Sequence, residues 1–214
     1  MKKAIFWFRQ DLRCFDNTWF IKSIKENDEI LPIFILDKNQ IDSFWGLEDK
    51  KFGFLNEMLE NLSKEISKIS NTKLSIFYDT PENIIPFLVK KYSINSVYSN
   101  ISYSIYWTNR DKNLKNTLSN LWVNFIQTPD FLLVDPQNIP QRKVFTPFFK
   151  LWQKIIPEFT LNTPSQFNWV KIDENLDIKT LIKYEKHPYF TFEFWQERLK
   201  NHILPTYQEY KDFA

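Results

Sequence analysis

The fold of this chain is decided by residues 5–17, which read IFWFRQDLRCFDN. The stretch begins with four large apolar residues. These predict a strand covered on both faces, because such strands lose the alternation of apolar and polar positions. Charged side chains follow at once, among them Arg9 and Asp11, and Asp16 is placed to cap a helix that begins near Asn17. In an open parallel sheet this loop would lie at the carboxyl edge, where ligands bind, although most charged loops are only solvated connections.

The same succession of apolar strands and amphipathic helices continues to about residue 130. Predicted strands cover residues 3–8, 30–36, 73–78, 96–100 and 123–127, and predicted helices cover 18–25, 48–69, 81–92 and 106–121. This order predicts an α/β fold with a doubly wound, five-stranded parallel sheet, which is Rossmann-like. The strand ends place five side chains near one rim, the expected ligand mouth: Arg9, Asp11, Asp37, Asn100 and Tyr103. For Asp37 and Asn100, turn chemistry at a strand end is an equally good explanation.

Composition excludes several classes of site. The net charge is +2, which gives no strong electrostatic footprint for nucleic acid. Gly46 and Gly53 are the only glycines, so the glycine-rich loops that cradle phosphates are excluded. Cys14 is the only cysteine, which rules out an internal disulfide and a Cys-rich metal site. No catalytic group or metal ligand is therefore predicted. Without a signal peptide or an apolar run long enough to span a membrane, the expected location is cytoplasmic.

The character of the sequence changes after residue 130. Thr146 and Pro147 are predicted to cap and open an aromatic-rich helix. Residues 157–190 are polar and are interpreted as a linker, because such long structureless stretches are uncommon inside one compact domain. Thr191 is predicted to cap another helix. The predicted division is an α/β domain at 1–130, an interdomain connection at 131–190, and the start of a truncated helical domain at 191–214.

Four segments of the sequence resemble the DNA photolyase/cryptochrome family. The family opens with W-F-R-x-D-L-R followed by D-N, which Trp7, Phe8, Arg9, Asp11, Leu12, Arg13, Asp16 and Asn17 fit. Further matches are KKFGFLNEMLENLSKEI at 50–66, KVFTPFFKLW at 143–152 and YQEYKDFA at 207–214. They occur in the family's order and at about its spacing. The resemblance implies an N-terminal antenna domain, followed by the entry to a helical FAD-binding domain.

The resemblance also implies cofactors. Family photolyases use FAD in the helical domain for light-dependent repair of pyrimidine dimers. Their N-terminal domain helps to hold an antenna pigment, such as methenyltetrahydrofolate or a deazaflavin. By family match Tyr207 contacts FAD, but Lys211 and Ala214 replace the arginine and proline of the family's R-D-F-P string. Tyr106 and Trp107 occupy the places of an Asn-Glu pair in folate-binding members. Two aromatics could stack on a pigment, but could equally cover a core or partner surface.

Three functions follow as expectations. In the first, the chain is the N-terminal part of a photolyase or cryptochrome, retains no stoichiometric FAD and cannot repair DNA alone. It would then contact DNA only through the helical domain, in cis or in trans. In the second, it is a stand-alone module that binds a chromophore or a partner, with the aromatic segment 145–152 as an interaction surface. The third, an unrelated nucleotide-binding α/β protein, is disfavoured by the missing glycine loops and by the absence of H-I-G-H-type or K-M-S-K-S-type strings.

Overall fold

The computed structural model describes residues 1–40, 50–129, 134–135, 138–140, 142–156 and 163–173, with residues 50–53 described by their backbone alone. The predicted helix after Thr191, and Tyr207 within it, lie outside the described residues. So do residues 131–133, 136–137, 141, 157–162 and 174–190 of the predicted connection.

The described residues form a parallel sheet with helices on both faces. The strands are β1 (Lys3–Phe8), β2 (Glu29–Leu36), β3 (Ser75–Tyr78), β4 (Ser96–Asn100), β5 (Asn124–Thr128) and β6 (Asn168–Trp169). The helices are α1 (Thr18–Glu26), α2 (Lys38–Gln40), α3 (Lys50–Ile69), α4 (Pro81–Tyr92), α5 (Ile105–Asn120) and α6 (Phe145–Ile155). The main order is β3-β2-β1-β4-β5, and every pairing is parallel. The predicted doubly wound, five-stranded sheet is confirmed, with bounds that differ by up to two residues.

Strand β1 is the middle strand of the sheet, between β2 and β4, and both of its faces are buried. Phe6 and Phe8 pack with Phe20 of α1 and with α3 on one side. Ile5 and Trp7 pack with α4 and α5 on the other side. This explains the uninterrupted apolar run at the start of the sequence, because successive side chains alternate between the two core layers and both layers are apolar.

Two predicted helix starts are wrong by one or two residues. Asn17, and not Asp16, caps α1, since its side-chain oxygen accepts from the backbone N–H of Phe20 at 3.2 Å. Asp16 instead has φ = 51°, in the left-handed region that aspartate tolerates better than most residues. Helix α6 has Val144 as its N-cap residue, so Thr146 lies inside the helix and is not its cap. In both cases the predicted cap, Asp16 or Thr146, is a residue type that favours caps and lies within two residues of the observed one.

Part of the stretch interpreted as a linker packs on the sheet. Strand β6 pairs with Glu29 and Ile30 at the amino end of β2. Phe167 contacts Phe20 with ring centroids 5.7 Å apart, and Val170 is buried in the core on the opposite face. Residues 163–173 are therefore not structureless, contrary to the interpretation of 157–190. A strand of two residues is too short to produce a periodic signal. The division of the chain into domains stays a prediction.

Among the helices of the described ranges, none is long and apolar enough to cross a membrane. The cytoplasmic location stays a prediction.

Candidate functional site

The polar side chains that follow β1, β2 and β4 meet at the carboxyl edge of the sheet. This edge includes the point between β1 and β4 where the strand order reverses, which is the usual ligand position in such folds. Arg9, Asp11, Asp37 and Asn100 are all buried there. Tyr103 lies in the loop after β4 and is more exposed, and partial burial raises its pKa.

Asp111 of α5 is the centre of the charge network. Its Oδ2 accepts from Arg9 Nη1 at 2.6 Å and from Gln127 Nε2 at 2.7 Å. Its Oδ1 accepts from Arg110 Nε and Nη2 at 3.3 and 3.1 Å. Arg110 Nη1 donates in turn to Asp37 Oδ2 at 3.1 Å. Five side chains from four parts of the fold are thus held by charge-assisted hydrogen bonds, which are the stronger kind.

Sequence reasoning missed Arg110, Asp111 and Gln127 as members of this site. A signal for Arg110 exists, because Arg110, Leu114 and Leu118 are spaced by four and share one helix face. Leu114 and Leu118 are buried against the sheet, so that face must also bury Arg110. An arginine on a buried helix face needs a carboxylate partner, which could have directed attention to Asp37.

Asp11 and Asn100 fasten the loop and are not among the residues that line the cavity between β1 and β2. Asp11 accepts from the backbone N–H of Arg9 at 3.0 Å, from Asn17 Nδ2 at 2.9 Å and from Asn100 Nδ2 at 2.6 Å. These bonds tie β1, α1 and β4 together. The sequence hypothesis that Asp11 and Asn100 belong to one rim agrees with this placement, but their described bonds are internal to the protein.

A cavity of about 300 Å³ opens between this network and the ends of β1 and β2. Its walls are mainly apolar and include Trp7, Phe34, Leu36, Leu55 and Trp107. Its polar lining includes Arg9, Asp37 and Arg110. The volume is at the small end of the range for small-molecule sites, and the apolar wall with a few polar groups is typical of them.

Two tryptophans contact the arginines beside the cavity. The guanidinium carbons of Arg9 and Arg110 lie 4.9 and 4.7 Å from the ring of Trp7. They lie 5.4 and 5.9 Å from the ring of Trp107. Cation–π contacts of this kind are strongest where water is excluded. They fix the two guanidinium groups beside the cavity wall.

Tyr106 and Trp107, predicted as a pair, have separate environments. Trp107 lines the cavity, whereas the Tyr106 hydroxyl donates to Asp37 Oδ2 at 3.2 Å from outside it. Partial burial, with Asp37 nearby, raises the pKa of Tyr106. Consecutive helical residues point about 100° apart, so a single flat pigment would not be expected to stack on both.

The described polar residues that line the cavity, among them Arg9, Asp37 and Arg110, are groups that bind ligands. Cys14 is buried, and burial together with Glu65 raises the pKa of its thiol to about 12, so it stays protonated at neutral pH. Within the described ranges, no cluster of three or more His, Cys, Asp or Glu side chains could hold a metal ion. The charges are mostly paired with one another. The arrangement can position and desolvate a ligand, which is the protein's usual share of cofactor chemistry.

Comparison with known proteins decides the family. A family model described as DNA photolyase matches residues 4–166. The chain belongs to the DNA photolyase family. The deoxyribodipyrimidine photo-lyase of Buchnera aphidicola subsp. Acyrthosiphon pisum is 30% identical over 177 residues, which are 78% of this chain and 36% of that protein. The resemblance seen in the sequence is confirmed.

Solved structures show the same fold. An archaeal photolyase from Sulfolobus tokodaii, with two FAD molecules, gives a TM-score of 0.68 at 24% identity, over 79% of this chain and 38% of that one. A cryptochrome from Synechocystis sp. PCC6803 gives 0.73 at 20% identity, over 89% and 40%. The chain therefore spans less than half the length of these relatives, and it matches their N-terminal region. The photolyase/cryptochrome family generally binds FAD, and full-length members have a C-terminal helical FAD domain and bind DNA.

Proposed function

We propose that this α/β unit holds a light-absorbing pigment for a photolyase-family protein, in the cavity at the carboxyl edge. The supporting observation is the cavity of about 300 Å³, with apolar walls, Trp107 and a few polar groups. A pigment that passes energy through space requires a fixed position and no acid–base group. The network of charge-assisted hydrogen bonds around Asp111 would supply that fixed position.

The proposed pigment is a fused-ring chromophore of the kind represented by methenyltetrahydrofolate, deazaflavins and FAD. The Sulfolobus tokodaii photolyase is described with two FAD molecules and a novel light-harvesting cofactor, which makes a flavin a reasonable candidate. In this proposal Arg9, Asp37 and Trp107 face the pigment. Asp11 and Asn100 shape the loop, and Tyr106 acts only through its hydrogen bond to Asp37.

A second proposal assigns a docking role to α6. No residue of this helix is buried, and Phe145 is 72% exposed. Phe145, Phe149 and Trp152 stack along one side, with ring centroids 5.7 and 6.0 Å apart. We define these three residues as the aromatic face. A helical FAD-binding domain, in cis or in trans, is the proposed partner, because an exposed apolar stripe is typical of an interaction site.

We assign the repair of pyrimidine dimers to the assembly with that helical domain. The helical domain would also make the DNA contacts. Tyr207 is proposed to contact FAD there, as the family match implies. Chain 1–214 by itself is expected to retain no stoichiometric FAD in a repair site. One FAD per purified chain that is kept by Trp107→Leu would contradict this, whereas FAD that is lost in that variant would belong to the pigment cavity.

Pigment binding is tested with a pair of matched variants. Trp107→Leu removes a ring from the cavity wall, whereas Trp122→Leu removes a ring that is 94% exposed at the opposite, amino end of β5. Pigments of the folate and flavin classes are titrated into the purified chain, and affinity is followed by absorbance and fluorescence. We expect Trp107→Leu to weaken binding by about tenfold, since stacked aromatic pairs contribute on the order of 1 kcal/mol, and Trp122→Leu to leave it unchanged.

The controls for this titration separate binding from folding. Both variants are first compared with the natural chain by circular dichroism and thermal melting. Equal losses in the two variants, or failure of every pigment to bind the folded natural chain, would contradict the proposed site.

A further inference from the structure

Strand β5 forms an edge of the sheet that the described residues leave open. It is the last strand in the order, and among the strands of the described ranges it pairs only with β4. The opposite edge differs, because β6 continues that edge beside β2 where β3 does not reach. Strand β5 reads NFIQT and has neither a charged residue nor a proline, which are the features that usually keep an edge strand from pairing with another chain.

The register shows which backbone groups of β5 face outward. The first and last residues of the strand are bonded on the β4 side, through the Asn124 N–H at 3.2 Å and the Thr128 carbonyl oxygen at 2.8 Å. In a parallel pair alternate residues turn both backbone groups to the same neighbour, so Ile126 faces β4 as well. The N–H and C=O groups of Phe125 and Gln127 therefore point away from β4. Within the described ranges no backbone group is bonded to them on that side.

Trp122, just before this strand, has a backbone conformation that is unusual for its residue type. Its φ is 60°, and its N–H donates to the Ser119 carbonyl oxygen at 3.1 Å. The N–H of the next residue donates to the Leu118 carbonyl oxygen at 3.0 Å, which completes a Schellman ending of α5. Glycine or asparagine favours the position of Trp122, whereas a bulky side chain there costs free energy. The ring is also 94% exposed, so contacts within the chain do little to offset that cost. A strained and exposed tryptophan indicates a contact with another molecule.

We propose that β5 pairs with β5 of a second copy of this chain, antiparallel, about a twofold axis at Ile126. In this register Phe125 lies opposite Gln127 of the second copy, and each of the two such pairs exchanges both of its N–H···O bonds. All outward groups of these residues are then used. The strand carries no charge that would repel its counterpart, and a twofold interface closes on itself. Pro129 has no N–H and ends the pairing, and Trp122 lies beside Pro129 of the second copy.

This interface is independent of both proposed sites. None of its residues lines the cavity at the carboxyl edge, and none belongs to the aromatic face of α6. Loss of pigment binding would therefore leave the interface unaffected, and loss of the dimer would leave the pigment site unaffected.

Sedimentation equilibrium of chain 1–214 tests for the dimer. We expect the average mass to rise from that of one 26.1 kDa chain towards twice that mass between about 1 µM and 1 mM, because a short strand pair is a small interface. Trp122→Asn should weaken dimerisation by about tenfold or more, since tryptophans dominate small interfaces. At the lowest concentration the same variant should melt about 2–4 °C higher, because asparagine tolerates the positive φ. A more stable chain that dimerises less is not explained by misfolding.

Cysteine cross-linking tests the register. Ile126→Cys places two thiols opposite each other across the axis, with Cα atoms about 4.5 Å apart, which a disulfide can span. Asn124→Cys is the matched control on the same face of the strand, because its two copies lie four residues apart along the strands, about 14 Å. We expect oxidation to link the Ile126→Cys chains and to leave the Asn124→Cys chains unlinked. The natural Cys14 does not interfere, since it is buried and the pKa of its thiol is raised to about 12.

Three results would overturn the inference. A chain that stays monomeric up to about 1 mM has no interface of this kind. A dimer that is lost in Phe145→Ala combined with Phe149→Ala, but kept in Trp122→Asn, would be formed by the aromatic face. Equal cross-linking of Ile126→Cys and Asn124→Cys would indicate random collision and not the proposed register.

Discussion

The side chains of the carboxyl-edge network and those of the aromatic face of α6 differ in their burial and in their partners. In the network, Arg9, Arg110 and Asp111 are buried and bonded to one another. On the aromatic face, Phe145 and Phe149 stack on each other, but no residue of the helix is buried. Buried charge must find its partners when the chain folds, because an unpaired ion in the interior is costly. Exposed apolar surface has no such requirement and can be covered later by a partner.

This difference indicates which region is ready before assembly. The network fixes the cavity within the described unit, so the proposed pigment would bind without another domain. The aromatic face would be covered only in the proposed assembly with a partner. Mutations should therefore affect stability in the first region and association in the second.

The largest effect is expected from Asp111→Asn. The change keeps the side-chain volume but removes the charge that faces Arg9 and Arg110. Breaking a buried ion pair by neutralising one partner costs about 3–5 kcal/mol. Urea unfolding of the natural chain and the variant, followed by circular dichroism, measures the loss of unfolding free energy.

Asp173→Asn is the matched control for that measurement. Asp173 pairs with Lys91, but both side chains are substantially exposed. Surface ion pairs contribute little, so no clear change in unfolding free energy is expected. Similar losses in the two variants would show that burial does not distinguish the network from an ordinary surface pair.

An intermediate effect is expected from Phe145→Ala combined with Phe149→Ala. The unfolding free energy should change by less than about 0.5 kcal/mol, as for surface substitutions. Binding to a separately produced helical FAD domain should weaken by about 2 kcal/mol or more, roughly thirtyfold, because central aromatics dominate interfaces. Isothermal titration calorimetry with the natural and doubly substituted chains gives the comparison. Unchanged affinity would place the interface elsewhere.

The sequence predicted the strands that carry the site better than the contacts between the side chains of the site. Unbroken apolar runs identified β1 and β2, and strand ends brought Arg9 and Asp37 to one edge. The loop after β1 was predicted to be charged, but its main partner, Asp111, was not predicted. Asp111 lies on a helix about one hundred residues later, and no local pattern states which carboxylate will meet which arginine.

Helix starts and short pairings set the other limits. Asp16 and Asn17 are adjacent residues that both favour caps, and only the backbone geometry shows that Asn17 accepts the Phe20 N–H bond. Strand β6 joins the sheet through two residues, and its position beside β2 depends on the tertiary fold. These features arise from long-range contacts, which sequence periodicity does not record.

The smallest effect is expected at Glu82, in the first turn of α4 beside the network. Burial raises the pKa of this carboxyl, and Asp37 and Asp111 add to the rise while Arg110 opposes it. A raised pKa in the folded state means that the unfolded chain releases this proton first. The Glu82 contribution to stability should therefore fall as pH rises from the ordinary glutamate pKa through the raised one, and stay low above it.

Glu82→Gln removes the titrating carboxyl, so the difference between the two chains measures the contribution of Glu82 to the unfolding free energy. Above the raised pKa the variant should be the more stable chain, by less than about 0.5 kcal/mol, because the half-exposed carboxyl is screened by water. Below the ordinary glutamate pKa the difference between the chains should shift in favour of the natural one. Thermal melting of both chains across the acidic range measures it. A difference that does not change with pH would contradict the raised pKa of Glu82 in the folded chain.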